Sequence, residues 1–379
     1  CSLDLSTQRM YKNRQWLEDN VLNLDPAPVI TVAVLPGYPL QARHCLAHTS
    51  PDVQKLGWNA LKELWSYQNA GIDLGFFLHT DPLDAEVNTT FGFCPSRCSE
   101  ADCNAGACPV TSQEEFVVWL QSMVDYFDTT DLGTMTIGGE TADLASYAVH
   151  LDFMVGTHAA ATTVNEFAGN WVTANAALDT RPDEEGIQPF KTVHFANGGA
   201  YPGITHSNDN RFKEQAPWDL RDWAAVWPMD PEQWDRAYTG EGERVLYLPG
   251  NSYAHFKIEG IITTGLMYNA VCPLGHCGAQ ATDFDLDLLF HWLRLQIATS
   301  DADRIKTWYW HLPDLANPAH WSDLTVHTDC DEGHCELEWF KAVNAAFVDT
   351  GLARWSTPEE VHQAWLDWCA EGDTPDECE

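Results

Sequence analysis

An α/β fold is predicted from this sequence, specifically a (β/α) barrel with about seven parallel strands and disulfide-bonded loop insertions. Short apolar runs alternate along the chain with stretches of helical periodicity, which is the pattern of repeated strand–helix units. Most of these runs end abruptly in polar residues or proline, as buried parallel strands do where they leave a sheet. An open doubly wound sheet is the rival architecture, because the pattern does not specify strand order.

The composition predicts one large domain after a short leading segment. With 45% hydrophobic residues and 17 Trp, the chain can bury a single large core. We expect residues 1–28 to form an N-terminal anchor segment and residues 29–379 to form the barrel domain, with a cysteine-rich insertion at 94–109. No apolar run reaches the roughly 18 residues that a membrane-spanning helix needs.

The barrel domain opens with a predicted β-α-β unit. A strand over 29–35 is stopped by Pro36, and a helix over 52–69 follows with Ser50 as its cap. The next strand, 72–79, is mostly apolar and stops at His79. A right-handed crossover is the default connection between two such parallel strands.

The same alternation continues to the end of the chain. Ser112 and Thr357 are predicted helix caps, each followed three residues later by the glutamate of a capping box. The further predicted strands are 132–137, 151–156, 191–195, 244–248 and 304–310. The further predicted helices are 11–22, 112–127, 143–149, 283–297, 336–348 and 358–368.

The charge balance excludes one class of partner. Twenty Lys and Arg against 56 Asp and Glu give a net charge of −36, a field that repels nucleic-acid phosphates. Nucleic acid is therefore not an expected partner. A solvated surface is the simplest interpretation of the acidity, and Ca²⁺ binding on that surface is the alternative.

The cysteines predict disulfides and an extracytoplasmic location. Most of the twelve cysteines fall in tight local groups, which are Cys94, Cys98, Cys103 and Cys108, then Cys272 with Cys277, Cys330 with Cys335, and Cys369 with Cys378. Short-range pairing of this kind indicates an oxidising compartment. A zinc site built on the pair at 272 and 277 or the pair at 330 and 335 is the alternative, although four intervening residues exceed the commonest ligand spacing.

The first residue carries a separate expectation. Cys1 resembles the processed N-terminal cysteine of a bacterial lipoprotein, so we expect a lipid on Cys1 that anchors the protein at a cell envelope. Contact with a membrane would then occur only through this anchor. The alternative is that Cys1 is a chance boundary, which the even cysteine count favours.

Imidazoles and carboxylates follow several of the predicted strands. Because parallel strands deliver their carboxyl ends to one edge, we expect these groups to converge there. His79, Asp81 and His158 are the predicted ligands of a divalent metal, with Zn²⁺ as the candidate, and Glu140 or His311 is the predicted acid or base. Any single histidine at a strand end is more often a hydrogen-bonded structural residue, so the prediction depends on convergence.

Aromatic residues suggest a carbohydrate ligand. The segment 201–244 has no clear periodicity and is rich in tryptophan, and exposed rings stack on the apolar faces of sugars. The predicted substrate-binding rings are Trp218, Trp223, Trp227 and Trp234. The alternative is that these rings only cover the barrel and bind no ligand. A glycosidase would instead need two carboxylates, for which Glu140 and Asp314 are candidates.

Three segments resemble the polysaccharide deacetylase family. The passage from Val29 through Gly71-Ile-Asp-Leu-Gly-Phe-Phe-Leu78 resembles the opening of that family. Phe153-Met-Val-Gly-Thr-His158 resembles the approach to its H-[ST]-x-x-x-H metal motif, and the segment 351–361 resembles the end of divergent members. The resemblance implies a deformed barrel and metal-dependent hydrolysis of acetyl groups on a polysaccharide.

The chain departs from that family at two positions. The first strand of the family ends in T-F-D-D-G, whereas Val34-Leu-Pro-Gly37 carries no carboxylate here, and no second histidine follows His158 at the motif spacing. Activity would then use a rearranged site with His79 and Asp81. The alternative functions are a catalytically inactive carbohydrate-binding or surface-assembly lipoprotein, and a glycoside hydrolase on a related barrel.

Overall fold

A five-stranded parallel sheet organises the described part of the protein. The structure is a computed structural model, and it describes residues 1, 3–78, 92–151, 153–156, 190, 192–195, 246–248, 255–258, 261–264 and 335–370. The strands are β1 Thr31–Val34, β2 Asp73–Leu78, β3 Thr134–Ile137, β4 Glu140–Asp143, β5 Phe153–Gly156, β6 Thr192–Phe195, β7 Leu246–Leu248, β8 His255–Ile258 and β9 Ile261–Thr264. The α-helices are α1 Asp4–Trp16, α2 Gly37–Leu46, α3 Pro51–Asn69, α4 Glu100–Asn104, α5 Gln113–Asp125, α6 Cys335–Val343 and α7 Pro358–Ala370.

The main sheet follows chain order without a reversal. Its strands run β1-β2-β5-β6-β7, and each neighbouring pair is parallel. A doubly wound sheet reverses direction at a switch point, whereas strands of a barrel progress in one direction. No described pairing joins β7 to β1, so closure into a barrel stays a prediction. The predicted strand 304–310 and the predicted helix 283–297 lie outside the described residues.

The predicted strand at 132–137 does not enter the main sheet. Its observed part, β3, pairs antiparallel with β4 in a separate two-stranded hairpin. Gly138 and Gly139 form the two-residue connection, with φ of 60° and 85°. Positive φ at both positions is what a type I′ hairpin turn requires, and glycine adopts it without steric cost.

Helix α2 lies between the predicted strand 29–35 and the predicted helix 52–69, where no helix was predicted from the sequence. It starts at Gly37, directly after Pro36, and buries Leu40, Ala42 and Leu46 against α3. Pro39 is tolerated because it lies in the first turn, where backbone N–H groups have no intrahelical partner. The α2–α3 contact is close, since a Cβ on Gly57 of α3 would overlap the carbonyl oxygen of Ala42.

Arg43 of α2 ties this layer to the end of α5. Its guanidinium donates to the carbonyl oxygens of Asp125, Tyr126 and Asp128. It also donates to both carboxylate oxygens of Asp131, at 2.9 Å each. Carbonyls at the end of a helix have no intrahelical donors, so one arginine satisfies several of them at once.

Residues 1–28 pack onto the domain through α1. Leu3, Leu17 and Val21 are at most 1% exposed. Arg14 of α1 reaches the carboxylate of Glu63 on α3, with Nε 2.7 Å from Oε1. Burial raises the pKa of the neighbouring Tyr67 phenol, and the charge of Glu63 raises it further.

The cysteine-rich insertion is a small cross-linked unit, which we call the disulfide module and define as residues 92–111. It contains the disulfides Cys94–Cys103 and Cys98–Cys108. Both pairs are local, which is compatible with the short-range pairing expected within this group. The structure also forms a third disulfide, Cys1–Cys45, across 44 residues. Disulfides are compatible with the predicted extracytoplasmic location.

Candidate functional site

The carboxyl ends of three adjacent strands lie at one level. Leu78, the last residue of β2, is the Cα partner of Gly156, the last residue of β5. Gly156 is in turn the partner of Phe195, the last residue of β6. His79 and Asp81 follow the end of β2 in the chain, and His158 follows the end of β5. This edge of the sheet is the candidate functional site.

Strand β2 is held firmly beneath this edge. A Cβ on Gly75 would lie 2.9 Å from the carbonyl oxygen of Phe153, so β2 and β5 approach where a larger residue would not fit. Phe76 is fully buried, stacked on Phe190 at 5.8 Å and edge-on to Phe127 at 6.1 Å. Catalytic groups are placed best by rigid elements, and this packing supplies one.

Three of the predicted site residues, His79, Asp81 and His158, follow the described ends of β2 and β5 in the chain. His79 comes directly after Leu78, and His158 comes two residues after Gly156. The residues that lie outside the described residues are His79, Asp81, His158, His311, Trp218, Trp223, Trp227 and Trp234. Their roles stay predictions, as does the choice of a divalent metal as cofactor.

Glu140 is the one predicted acid or base whose position is described. It is the exposed first residue of β4, and it pairs with Ile137 across the glycine turn. It therefore does not follow a strand of the main sheet, which was the reason for predicting it beside His79. The pattern at Gly138-Gly139 was a hairpin signal rather than a strand end.

The position that carries carboxylates in the deacetylase family is occupied by apolar residues. Strand β1 ends at Val34, Leu35 is 42% exposed, and α2 begins at Gly37. No acidic side chain is available from this segment. Metal ligands or a catalytic base at the carboxyl edge would therefore come from segments that follow other strands, such as β2 and β5.

The predicted ligand set, His79, Asp81 and His158, suits a divalent transition metal in its chemistry. His79 and His158 offer imidazole nitrogens and Asp81 offers a carboxylate, which are the ligand types of catalytic Zn²⁺. Within the ranges that the structure describes, no group of three or more His, Cys, Asp or Glu side chains could hold a metal. The acidic surface there offers no Ca²⁺ site of that kind either.

The Cys1 sulfur is used by the disulfide with Cys45, whose side chain is fully buried. A sulfur in a disulfide cannot also carry a thioether lipid. The expected lipid on Cys1 and this disulfide thus exclude each other. Sequence reasoning missed the pairing because α1 must first pack before residues 44 positions apart can meet.

An unexpected carboxylate lies at the opposite, amino end of the sheet. Asp73 opens β2, and burial raises its pKa, as do the charges of Glu359 and Glu360 in the first turn of α7. No role was predicted for Asp73 from the sequence, because it is a single carboxylate between Ile72 and Leu74. Burial and the charges of Glu359 and Glu360 thus all disfavour the ionised form of Asp73 in the folded protein.

We expect Asp73→Asn to raise the thermal midpoint at pH 7. A carboxyl with a raised folded-state pKa contributes stability while it is protonated, and that contribution is lost as pH rises through the folded-state pKa. The gain should therefore shrink as the pH falls and vanish once the carboxyl is protonated in both states. Thermal denaturation from pH 3 to 7 measures this, with the exposed Asp19→Asn as control. An equal gain at all pH values would contradict it.

No family model, no curated protein and no solved structure matches this chain. Among the described residues, no helix is both long and apolar enough to cross a membrane. The functional assignment therefore depends on the topology of the sheet and on the residues that follow its strands.

Proposed function

We propose that this protein is an extracytoplasmic, metal-dependent carbohydrate deacetylase of divergent type, acting on a polysaccharide. One observation carries the proposal. The ends of β2 and β5 are neighbours in register, Leu78 beside Gly156, and the chain continues from them into His79 and toward His158. Two segments far apart in sequence thus start from one place with imidazole and carboxylate groups.

The roles of the chain's own residues follow from their chemistry. His79, Asp81 and His158 would hold the metal, which when bound supplies a Lewis acid and an activated water for attack on an acetyl carbonyl. His311 would protonate the leaving sugar oxygen or nitrogen. The tryptophans at 218, 223, 227 and 234 would stack on sugar rings and orient the acetyl group.

Metal analysis combined with activity tests the proposal. We expect the purified protein to bind Zn²⁺ stoichiometrically and to release acetate from acetylated glycans, and we expect His79→Ala or His158→Ala to weaken metal binding by at least about 100-fold. His44→Ala is the matched control, because His44 is an exposed histidine on α2. Metal binding that is unchanged in both site variants would overturn the proposal.

A specific observation supports a second candidate, a catalytically inactive carbohydrate-binding protein. The apolar end of β1, with Leu35 exposed and α2 starting at Gly37, leaves no carboxylate where the resembled family carries its base. Protein that binds glycans without metal, and loses this binding on Trp223→Ala but not on His79→Ala, would favour this candidate.

A further inference from the structure

The disulfide module holds two disulfides of nearly equal ring size that differ in their surroundings. Cys94–Cys103 spans nine residues and Cys98–Cys108 spans ten. Both lie within one short segment, so each is a control for the other. Any difference in their reactivity must come from local exposure and charge rather than from loop length.

The sulfur of Cys108 has a cationic neighbour. Cys108 is only 7% exposed, and Nη1 of Arg97 lies 3.2 Å from its Sγ. Its partner Cys98 is half-buried. In the other disulfide, Cys94 is exposed, and the contact described for its Sγ is with the carbonyl oxygen of Pro95, at 3.8 Å. A positive charge therefore lies beside the sulfur of Cys108.

We propose that Cys98–Cys108 is a thiol–disulfide exchange site for an external dithiol, with Cys98 as the attacked sulfur and Cys108 as the leaving group. A thiolate of the dithiol attacks Sγ of Cys98, the S–S bond breaks, and Cys108 leaves with the bonding electron pair. Arg97 stabilises the thiolate that develops there. Thiolates with a cationic neighbour are better leaving groups, because their thiol pKa is lower.

The exchange balances without any further reactant. The second thiol of the dithiol attacks the reagent's own sulfur in the mixed disulfide and releases Cys98 as a thiolate. The reagent is oxidised by two electrons to a disulfide, and the protein disulfide is reduced. The two protons of the dithiol end on Cys98 and Cys108. Cys94–Cys103 stays closed and keeps half of the module cross-linked.

The negative charge of Glu115 opposes the positive charge of Arg97. A substitution of Glu115 therefore tests whether that positive charge acts on Cys108. Its Oε1 lies 2.8 Å from Nε of Arg97, and its Oε2 also accepts from the backbone N–H of Thr111. These contacts hold the carboxylate beside the guanidinium and lower the Glu115 pKa. Neutralising Glu115 leaves the positive charge on Arg97 uncompensated next to Cys108.

The order of reduction in the unmodified protein is the first readout. Limiting dithiothreitol at pH 7, followed by alkylation and peptide mass spectrometry, should label Cys98 and Cys108 before Cys94 and Cys103. Exposure alone predicts the opposite order, because Cys94 is the most exposed sulfur-bearing residue of the module. Earlier labelling of Cys94 and Cys103, or simultaneous labelling of both pairs, would overturn the proposal.

Two variants distinguish an effect of charge on the reduction of Cys98–Cys108 from a general loosening of the disulfide module. Arg97→Gln should slow reduction of Cys98–Cys108 by about three- to tenfold, and Glu115→Gln should accelerate it, with Cys94–Cys103 unchanged in both. Arg97→Lys, which keeps the charge, should restore part of the rate. If Arg97 only held the module together, Arg97→Gln and Glu115→Gln would both accelerate reduction, and that result would refute the inference.

Discussion

Replacing Gly57 by alanine is expected to destabilise the protein, although the same change usually stabilises a helix. Gly57 lies in the middle of α3, where alanine has the better helix propensity by about 1 kcal/mol. Here the added Cβ would overlap the carbonyl oxygen of Ala42 and lie 2.9 Å from the amide nitrogen of Leu46. Both are backbone atoms of α2, so neither can rotate away.

The free-energy cost of the clash should exceed the free energy gained from the better helix propensity of alanine. Overpacking of this kind costs about 3 kcal/mol, so the net loss in the free energy of unfolding should be about 2 kcal/mol. Urea denaturation measures it. Asn59→Ala is the control, because Asn59 is exposed on the same helix and gains propensity without a clash. A Gly57→Ala variant as stable as the parent would mean that α2 and α3 do not approach this closely.

Local signals predicted the parts of the fold that neighbouring residues determine. The helix expected at 52–69 is observed at Pro51–Asn69, and the capping box of α7 is complete. The Thr357 hydroxyl accepts from the Glu360 N–H at 3.1 Å, and Glu360 accepts from the Thr357 N–H at 2.9 Å. Ser112 caps α5 as expected, whereas the Glu115 carboxylate binds Thr111 and Arg97 instead of closing the box.

Features that depend on distant partners were not readable from the sequence. The segment of β3 was predicted to be a strand like β1 and β2, and its pairing with β4 shows that it belongs to a hairpin. The Cys1–Cys45 disulfide requires α1 to be packed on the domain. The adjacency of β2 and β5 is of the same kind, because the intervening hairpin gives no sign that the sheet continues at Phe153.

The same distinction between local and long-range features applies to the candidate site. Strand ends followed by histidine and aspartate could be recognised from the sequence, because an apolar run that stops at polar groups is a local pattern. Which strand ends are neighbours could not be recognised. The register that places Leu78 beside Gly156 supplies this information: the strands that precede His79 and His158 are neighbours, whereas Glu140 belongs to the separate hairpin of β3 and β4.

Arg14→Met is expected to cause the largest loss of stability among the changes considered. Arg14 and Glu63 form a two-point ion pair, with Nε to Oε1 at 2.7 Å and Nη2 to Oε2 at 3.3 Å. Their side chains are only 14% and 9% exposed. Removing Arg14 leaves the Glu63 carboxylate buried without its cation, which costs about 3–5 kcal/mol. Chemical denaturation measures this, with the exposed Lys12→Met on the same helix as control.

Replacing Glu63 should cost less stability than replacing Arg14, and replacing both residues should cost less still. In Glu63→Leu, Arg14 keeps a second carboxylate, Glu18, whose Oε1 lies 2.9 Å from Nη1 and whose side chain is 35% exposed. In Arg14→Met with Glu63→Leu, both charges are replaced by apolar groups, and most of the stability should return because neither group is left desolvated and unpaired. Losses that simply add would show that the two side chains do not act as a pair.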